Sequence, residues 1–304
     1  MTTGQFTVCA PDRLHLGEGG RWVDGRLVAV DIISGRLLEL GPDSAVPLRV
    51  LAALDTPLGA VAPVAGAPGT WIAAAGTGIA LLGPAGHRHW LGRPAGSASR
   101  MRMNDGAADP TGRFWATSMA HDAAPGAGAV YRVDPAGNIT QALDGITIPN
   151  GPAFSLDGTT MYLADSAIGT VTRFPVDPTT GQLGSPSPFL GFGAGQGSPD
   201  GMTIDYEGNL WVALWGAGAV HRYRPDGTLD RIVEVPARQP TSVCLGAPHG
   251  RRLYITTASH SLDPASPLDG AVLALDVDIP GPPAATFHPR LGTAAGHPFR
   301  EDHT

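Results

Sequence analysis

The 304-residue sequence contains no lysine; all twenty of its basic residues are arginine. A P-loop, a lysine Schiff base and a pyridoxal phosphate anchor each need a lysine amine, so those chemistries are excluded. Cysteine is nearly absent too. Cys9 and Cys244 lie far apart with no ligand-like spacing, and they read as two buried reduced thiols rather than a disulfide. Charged residues make up only 15%, against roughly 25% in ordinary globular chains. No window approaches the ~18 uninterrupted apolar residues of a membrane helix. The N-terminal MTTGQFTVCAPDR lacks the basic and then apolar pattern of a secretory signal. A net charge of −7 gives no electrostatic grip on phosphate backbones. The expectation is a cytoplasmic protein, a monomer or small homo-oligomer, that works on a small molecule without nucleic acid or membrane.

What is abundant is glycine and proline, 42 and 29 residues. Both are costly inside helices, which points to strands and turns. Six short strand-like runs share one texture: LVAVD (27–31), WIAAA (71–75), FWATSM (114–119), MYLADS (161–166), LWVALW (210–215) and LYITTA (253–258). Each follows a turn signal ending in Gly25, Gly69, Gly112, Gly158, Gly208 or Gly250, and successive turn glycines are 42 to 50 residues apart. That is the period of a four-stranded propeller blade. Most units continue with a Gly-rich turn and a second alternating strand, as in GAGAVYRVDPAG and GAGAVHRYRPDG. The pattern predicts an all-β, six-bladed β-propeller of four-stranded antiparallel blades, because equal repeats suit a closed radial array better than a β-sandwich. One domain is expected over residues 1–287, closed by an N-terminal strand near Phe6 to Ala10. Residues 288–304 are expected to form an irregular tail that is frayed or caps a face.

Polar residues recur at one phase of the repeat. Asn104, Asn150 and Asp200 each stand eight residues before a turn glycine, and Glu18 stands seven before its own. Their loops are MNDG, PNGP, SPDGM and LGEGG. One such residue is explained by turn chemistry alone. Four in register imply that several blades aim oxygen ligands at one axial point. An oxygen cluster of this kind suits a hard divalent cation, and two carboxylates with amides leave coordination positions for water or substrate.

At these residues the sequence resembles the gluconolactonase and regucalcin (senescence marker protein) family of six-bladed propellers. The similarity runs from Leu16 to about Phe287. It is strongest in LGEG (16–19), RMNDGAADPTGRFWATSM (102–119), PNG (149–151) and SPDGMTIDYEGNLWVA (198–213). The resemblance implies one divalent metal held by Glu18, Asn150 and Asp200, with Ca²⁺ first and Mn²⁺, Zn²⁺, Mg²⁺ or Fe²⁺ as alternatives. It implies substrate contacts from Arg102 and Asn104, and hydrolysis of a small sugar-type lactone with Asp200 as the catalytic base. A Glu that contacts substrate hydroxyls in that family is matched by Asp122, preceded by His121, which adds both to the expected substrate contacts. Met101 stands where Asn is common, and Gly20 where Pro is common. These departures keep two alternatives open: the same metal site serving another reaction (an isomerase, cyclase or phosphoesterase), or a non-catalytic propeller that binds calcium or a ligand.

The other candidates read as structural. Ten histidines include no HExxH pair; His87 and His89 fall in a turn, His221 on a strand, and His260 follows a strand where it could rim a pocket. GAGQG (193–197) has no lysine and no following helix, so it is not a phosphate loop.

Overall fold

The computed structural model describes residues 5–41, 44–97 and 99–290. Its twenty-four strands form six four-stranded antiparallel sheets. Blade one holds β2 (Gly17–Val23), β3 (Arg26–Asp31), β4 (Arg36–Glu39) and β5 (Arg49–Ala53). Blade two holds β6 (Leu58–Pro63), β7 (Trp71–Ala75), β8 (Gly78–Leu82) and β9 (Arg88–Gly92). Blade three holds β10 (Met101–Ala108), β11 (Phe114–Ala120), β12 (Gly128–Val133) and β13 (Ile139–Ile146). Blade four holds β14 (Pro149–Phe154), β15 (Thr160–Asp165), β16 (Thr170–Pro175) and β17 (Ser187–Gly191). Blade five holds β18 (Ser198–Ile204), β19 (Leu210–Trp215), β20 (Ala219–Tyr223) and β21 (Leu229–Glu234). Blade six holds β22 (Pro240–Gly246), β23 (Arg252–Thr257) and β24 (Leu273–Asp276), and its outer strand is β1 (Thr7–Val8). This is a six-bladed β-propeller. Thr7 pairs with Ala274 and Val8 with Leu273, so the N-terminus closes the ring on the last blade as the repeat predicts.

The six runs seen in the sequence are the second strands of the six blades, and all six turn glycines take positive φ, from +70° to +89°. The core is divided into six apolar layers, one between each pair of neighbouring blades. A recurring bolt fixes blades three and five. In each, an aspartate six residues before a tryptophan caps the intervening turn and also accepts the indole N–H: Asp109 from Trp115 and Asp205 from Trp211, both at 2.9 Å. Arg132 and Arg222 lie over those indoles, 5.9 and 5.6 Å from the ring centres.

The chain does not end its work at β24. Residues 280–290 cross the far end of the channel as a strap, bonded in turn to Tyr206, Gly250, Trp22, Pro63, Gly112 and Pro135 through the main chain. Phe287 is buried in the layer between blades two and three. The strap runs past the expected boundary at 287, since His288 and Arg290 still make main-chain bonds. The rest of the expected tail, 291–304, lies outside the described residues.

Cys9 and Cys244 are free, buried, and belong to the layer between blades six and one, where the ring closes. Burial pushes Cys9 up to about 11 and Cys244 up to about 12. Both thiols should therefore resist a disulfide reagent in the native protein at mildly alkaline pH and react once denaturant opens the seam. Rapid labelling of the folded chain would contradict this burial.

Candidate active site at the channel mouth

Every blade starts with its innermost strand, so all six inner strands run the same way along the axis. Their first residues, and the last residues of the second strands, meet at one mouth of the channel. Aspartates at the ends of second strands clamp the incoming chain there: Asp31 accepts from the amides of His15 and Leu16, and Asp165 from those of Thr147 and Ile148. Each inner strand then breaks register. The irregularities fall at Glu18/Arg21, Met103/Gly106, Asn150/Ala153 and Pro199/Met202, at or beside the four phased polar residues. A bulge of this kind re-aims a side chain out of the pleat, here into the channel. Close packing allows little else: a Cβ on Gly151 would stand 2.7 Å from the Asp200 carbonyl oxygen, and one on Gly59 would overlap the Asn104 carbonyl.

The structure brings Glu18, Arg102, Asn104, Asn150 and Asp200 together. Asn104 Nδ2 donates to Asn150 Oδ1 at 2.6 Å and to the Pro149 carbonyl at 3.0 Å, while its Oδ1 accepts from Arg102 Nη1 at 2.6 Å. Asn150 Nδ2 donates to Ser166 Oγ at 2.9 Å, and the Ser166 hydroxyl donates in turn to the Pro199 carbonyl, next to Asp200, at 2.6 Å. The amide of Asn150 is thereby held with its oxygen toward the axis. The Glu18 and Asp200 carboxyls are electrostatic neighbours, each buried within reach of the other's charge.

Five per cent or so of each of these two acids is exposed. Burial first, then the nearby Asp105 carboxylate, pushes Glu18 up to about 8. Burial and the Glu18 and Asp105 carboxylates raise Asp200 well above the usual range. Asp200 Oδ1 is buried without any hydrogen-bond partner among the described residues. Two buried acids that repel each other, one with an orphaned oxygen, fit a cation between them. Asn150 Oδ1 keeps a second lone pair for the same point. No three His, Cys, Asp or Glu side chains among the described residues could hold a metal on their own, so the set depends on that amide.

The same geometry sets a pH dependence for the metal-free protein. The folded value of Glu18 lies above its ordinary value of 4.5. Its contribution to stability is therefore full below that pH and is lost as pH rises toward 8. In chelator, the melting temperature should fall over that window, and Glu18→Gln should flatten the slope. An equal slope in the variant would refute the assignment.

Residues 16–259 match the SMP-30/Gluconolactonase/LRE-like region. The chain belongs to this family. It is 34% identical over 292 residues to pentonolactonase XacC of Haloferax volcanii, covering 91% of this chain and 96% of that one. It is 32% identical over 275 residues to regucalcin of Oryctolagus cuniculus, covering 88% and 91%. Among solved structures it is similar to a calcium-binding regucalcin from Agrobacterium tumefaciens, with TM-score 0.86, 30% identity and coverage of 93% and 97%. A luciferin-regenerating enzyme superposes with TM-score 0.82 at 28% identity, covering 90% and 95%.

In this member of the SMP-30/gluconolactonase/LRE-like family, His121 and Asp122 stand exposed just beyond β11, beside the start of β10. Asp122 Oδ1 accepts from the Ala124 amide at 3.1 Å, and the His121 amide bonds the Arg100 carbonyl. Neither belongs to the buried hydrogen-bond chain of Arg102, Asn104 and Asn150. Asp105 does, and sequence reasoning assigned it no role. Its Oδ2 accepts from the Gly151 amide and its Oδ1 from that of Gly106, both at 2.7 Å, which fixes the backbone on either side of Asn104 and Asn150. Arg21, 3.8 Å away, supplies its counter-charge. The phase count overlooked Asp105 because it stands one residue off the repeat, although it lies inside the MNDG string. Trp215 is half-buried at the mouth end of β19 and packs against the layer containing Leu16 and Ala258.

Proposed function

We propose that the protein is a metal-dependent lactonase that opens a small, sugar-type lactone. The observation that carries this reading is the orphaned, buried Asp200 Oδ1 in the same cluster as the Glu18 carboxyl and the Asn150 amide oriented by Asn104 and Ser166. The pentonolactonase relative supports the substrate class, and the calcium-binding regucalcin supports a divalent ion, Ca²⁺ first. Glu18, Asn150 and Asp200 would hold the ion, which when bound would polarise the ester carbonyl and acidify a water.

The chain's own groups account for the remaining chemistry. Arg102 commits Nη1 to Asn104 and the Met103 carbonyl. Its Nε and Nη2 donate to no protein acceptor among the described residues, so they can bind the lactone and oppose negative charge on its oxygens. Asn104 keeps Arg102 and Asn150 in fixed relation. Asp200 takes a proton from the attacking water as that water's oxygen bonds to the acyl carbon. The ring carbon–oxygen bond then breaks, and the proton passes to the departing alkoxide to give the open hydroxy acid. His121 and Asp122, exposed beside this mouth, are assigned to hydroxyls at the outer end of the substrate. Removal of divalent ions by EDTA should abolish opening of an aldonolactone, read by proton release, and one added cation should restore it. Full turnover by the metal-stripped protein would overturn the proposal.

A further inference from the structure

At the seam where blade six meets blade one, two histidine rings stand together that the proposed chemistry does not use. His15 lies three residues before Glu18 on the chain entering β2, and His260 lies three residues beyond the end of β23. Both are therefore at the mouth. His15 Nε2 and His260 Nδ1 are 3.1 Å apart, with ring centres 4.9 Å apart. His260 lies within electrostatic reach of the Arg102 guanidinium. Burial chiefly, then His15 and Arg102, lowers the His260 pKa and so favours its uncharged ring.

The rings are not needed to hold the seam. Its backbone is already tied by the His260 amide to the His15 carbonyl at 2.9 Å and by Ser259 Oγ to the Leu14 carbonyl at 3.0 Å. Gln239 Nε2 adds a bond to the His260 carbonyl at 2.9 Å. A ring–ring hydrogen bond has a further consequence. With both rings neutral, one nitrogen of the close pair donates and the other accepts, so the two outer nitrogens, His15 Nδ1 and His260 Nε2, present one donor and one acceptor. Exchanging both tautomers reverses which is which. A hydroxyl, which donates and accepts, is the complementary group.

We propose that His15 and His260 act as a proton-sharing pair that binds an exocyclic hydroxyl of the lactone and so determines specificity for hydroxylated side chains. This rests on the lactonase reading above. The test compares kcat/KM for a pentonolactone with that for its analogue lacking the terminal hydroxyl. The wild type should favour the hydroxylated lactone by about tenfold, the scale of one well-formed hydrogen bond. His15→Ala, at an exposed ring, and His260→Phe should each bring the ratio close to one, and His260→Gln, which restores a donor and an acceptor, should recover part of it. Metal affinity by calorimetry and the melting temperature should stay at wild-type values. A wild type that opens both lactones without preference overturns the pair's role, as does a preference unmoved in the variants or lost only in step with metal affinity or folding. A wild type that opens neither lactone in any metal sinks the hydrolase reading and the pair's role with it.

Discussion

Asp200→Asn should lower kcat/KM for a sugar lactone by about three orders of magnitude, the scale of losing a positioned base together with a cation ligand. It should also raise the melting temperature of the metal-free protein. The two effects share one cause. Asp200 is buried beside Glu18 and Asp105, and all three are acids. Without a cation this arrangement opposes folding, and an amide of the same shape relieves it. Glu18→Gln should act in the same direction on both readouts, and the double variant should lose much less than the product of the single effects, because in the proposed site both side chains hold the same ion. Kinetics, calorimetric metal titration and thermal melts of the same samples check this. A variant that turns over normally, or one whose metal-free form melts lower, would contradict the geometry.

Asp205→Ala should destabilise the fold by about 4 kcal/mol, the cost of breaking a buried charged network by deleting one partner. Asp205 is fully buried. Its Oδ1 accepts from the amides of Glu207 and Asn209, and its Oδ2 from Trp211 Nε1 and Arg222 Nε. Arg222 is itself buried, and its remaining nitrogens pair with Glu207 and Asp230. Truncating the aspartate would strand an indole N–H, two turn amides and part of a guanidinium. Asp109→Ala should cost less, because Arg113 stands farther from its carboxylate, at 3.6 Å, and is also bonded to the Pro178 and Thr179 carbonyls. Urea unfolding measures both. A loss below about 1 kcal/mol at Asp205 would place the bolt outside the main sources of stability.

The repeat was legible because a propeller blade is a local object. Its turn glycine, its second strand and its alternating third strand lie within one period, so the six runs and six glycines appear in order along the chain. Phase then put Glu18, Asn104, Asn150 and Asp200 at equivalent places, and equivalence around a ring means convergence on its axis. Asp105 escaped that logic because its role is to accept an amide 46 residues away. The histidine pair escaped it more completely, since 245 residues separate its members. The strap after β24 has no period at all, and only its hydrogen bonds to the turns and edges of five blades, its own among them, reveal that it crosses the channel.

The amino-acid order by itself determined the number of blades, the closure by the N-terminal strand and the oxygen-rich character of the mouth, because each follows from short-range pattern repeated at a fixed pitch. Which oxygens are orphaned, which acids repel, and which rings touch across the closing seam were decided only by the tertiary structure. Those properties depend on burial and on partners from distant blades, and neither is encoded in spacing along the chain.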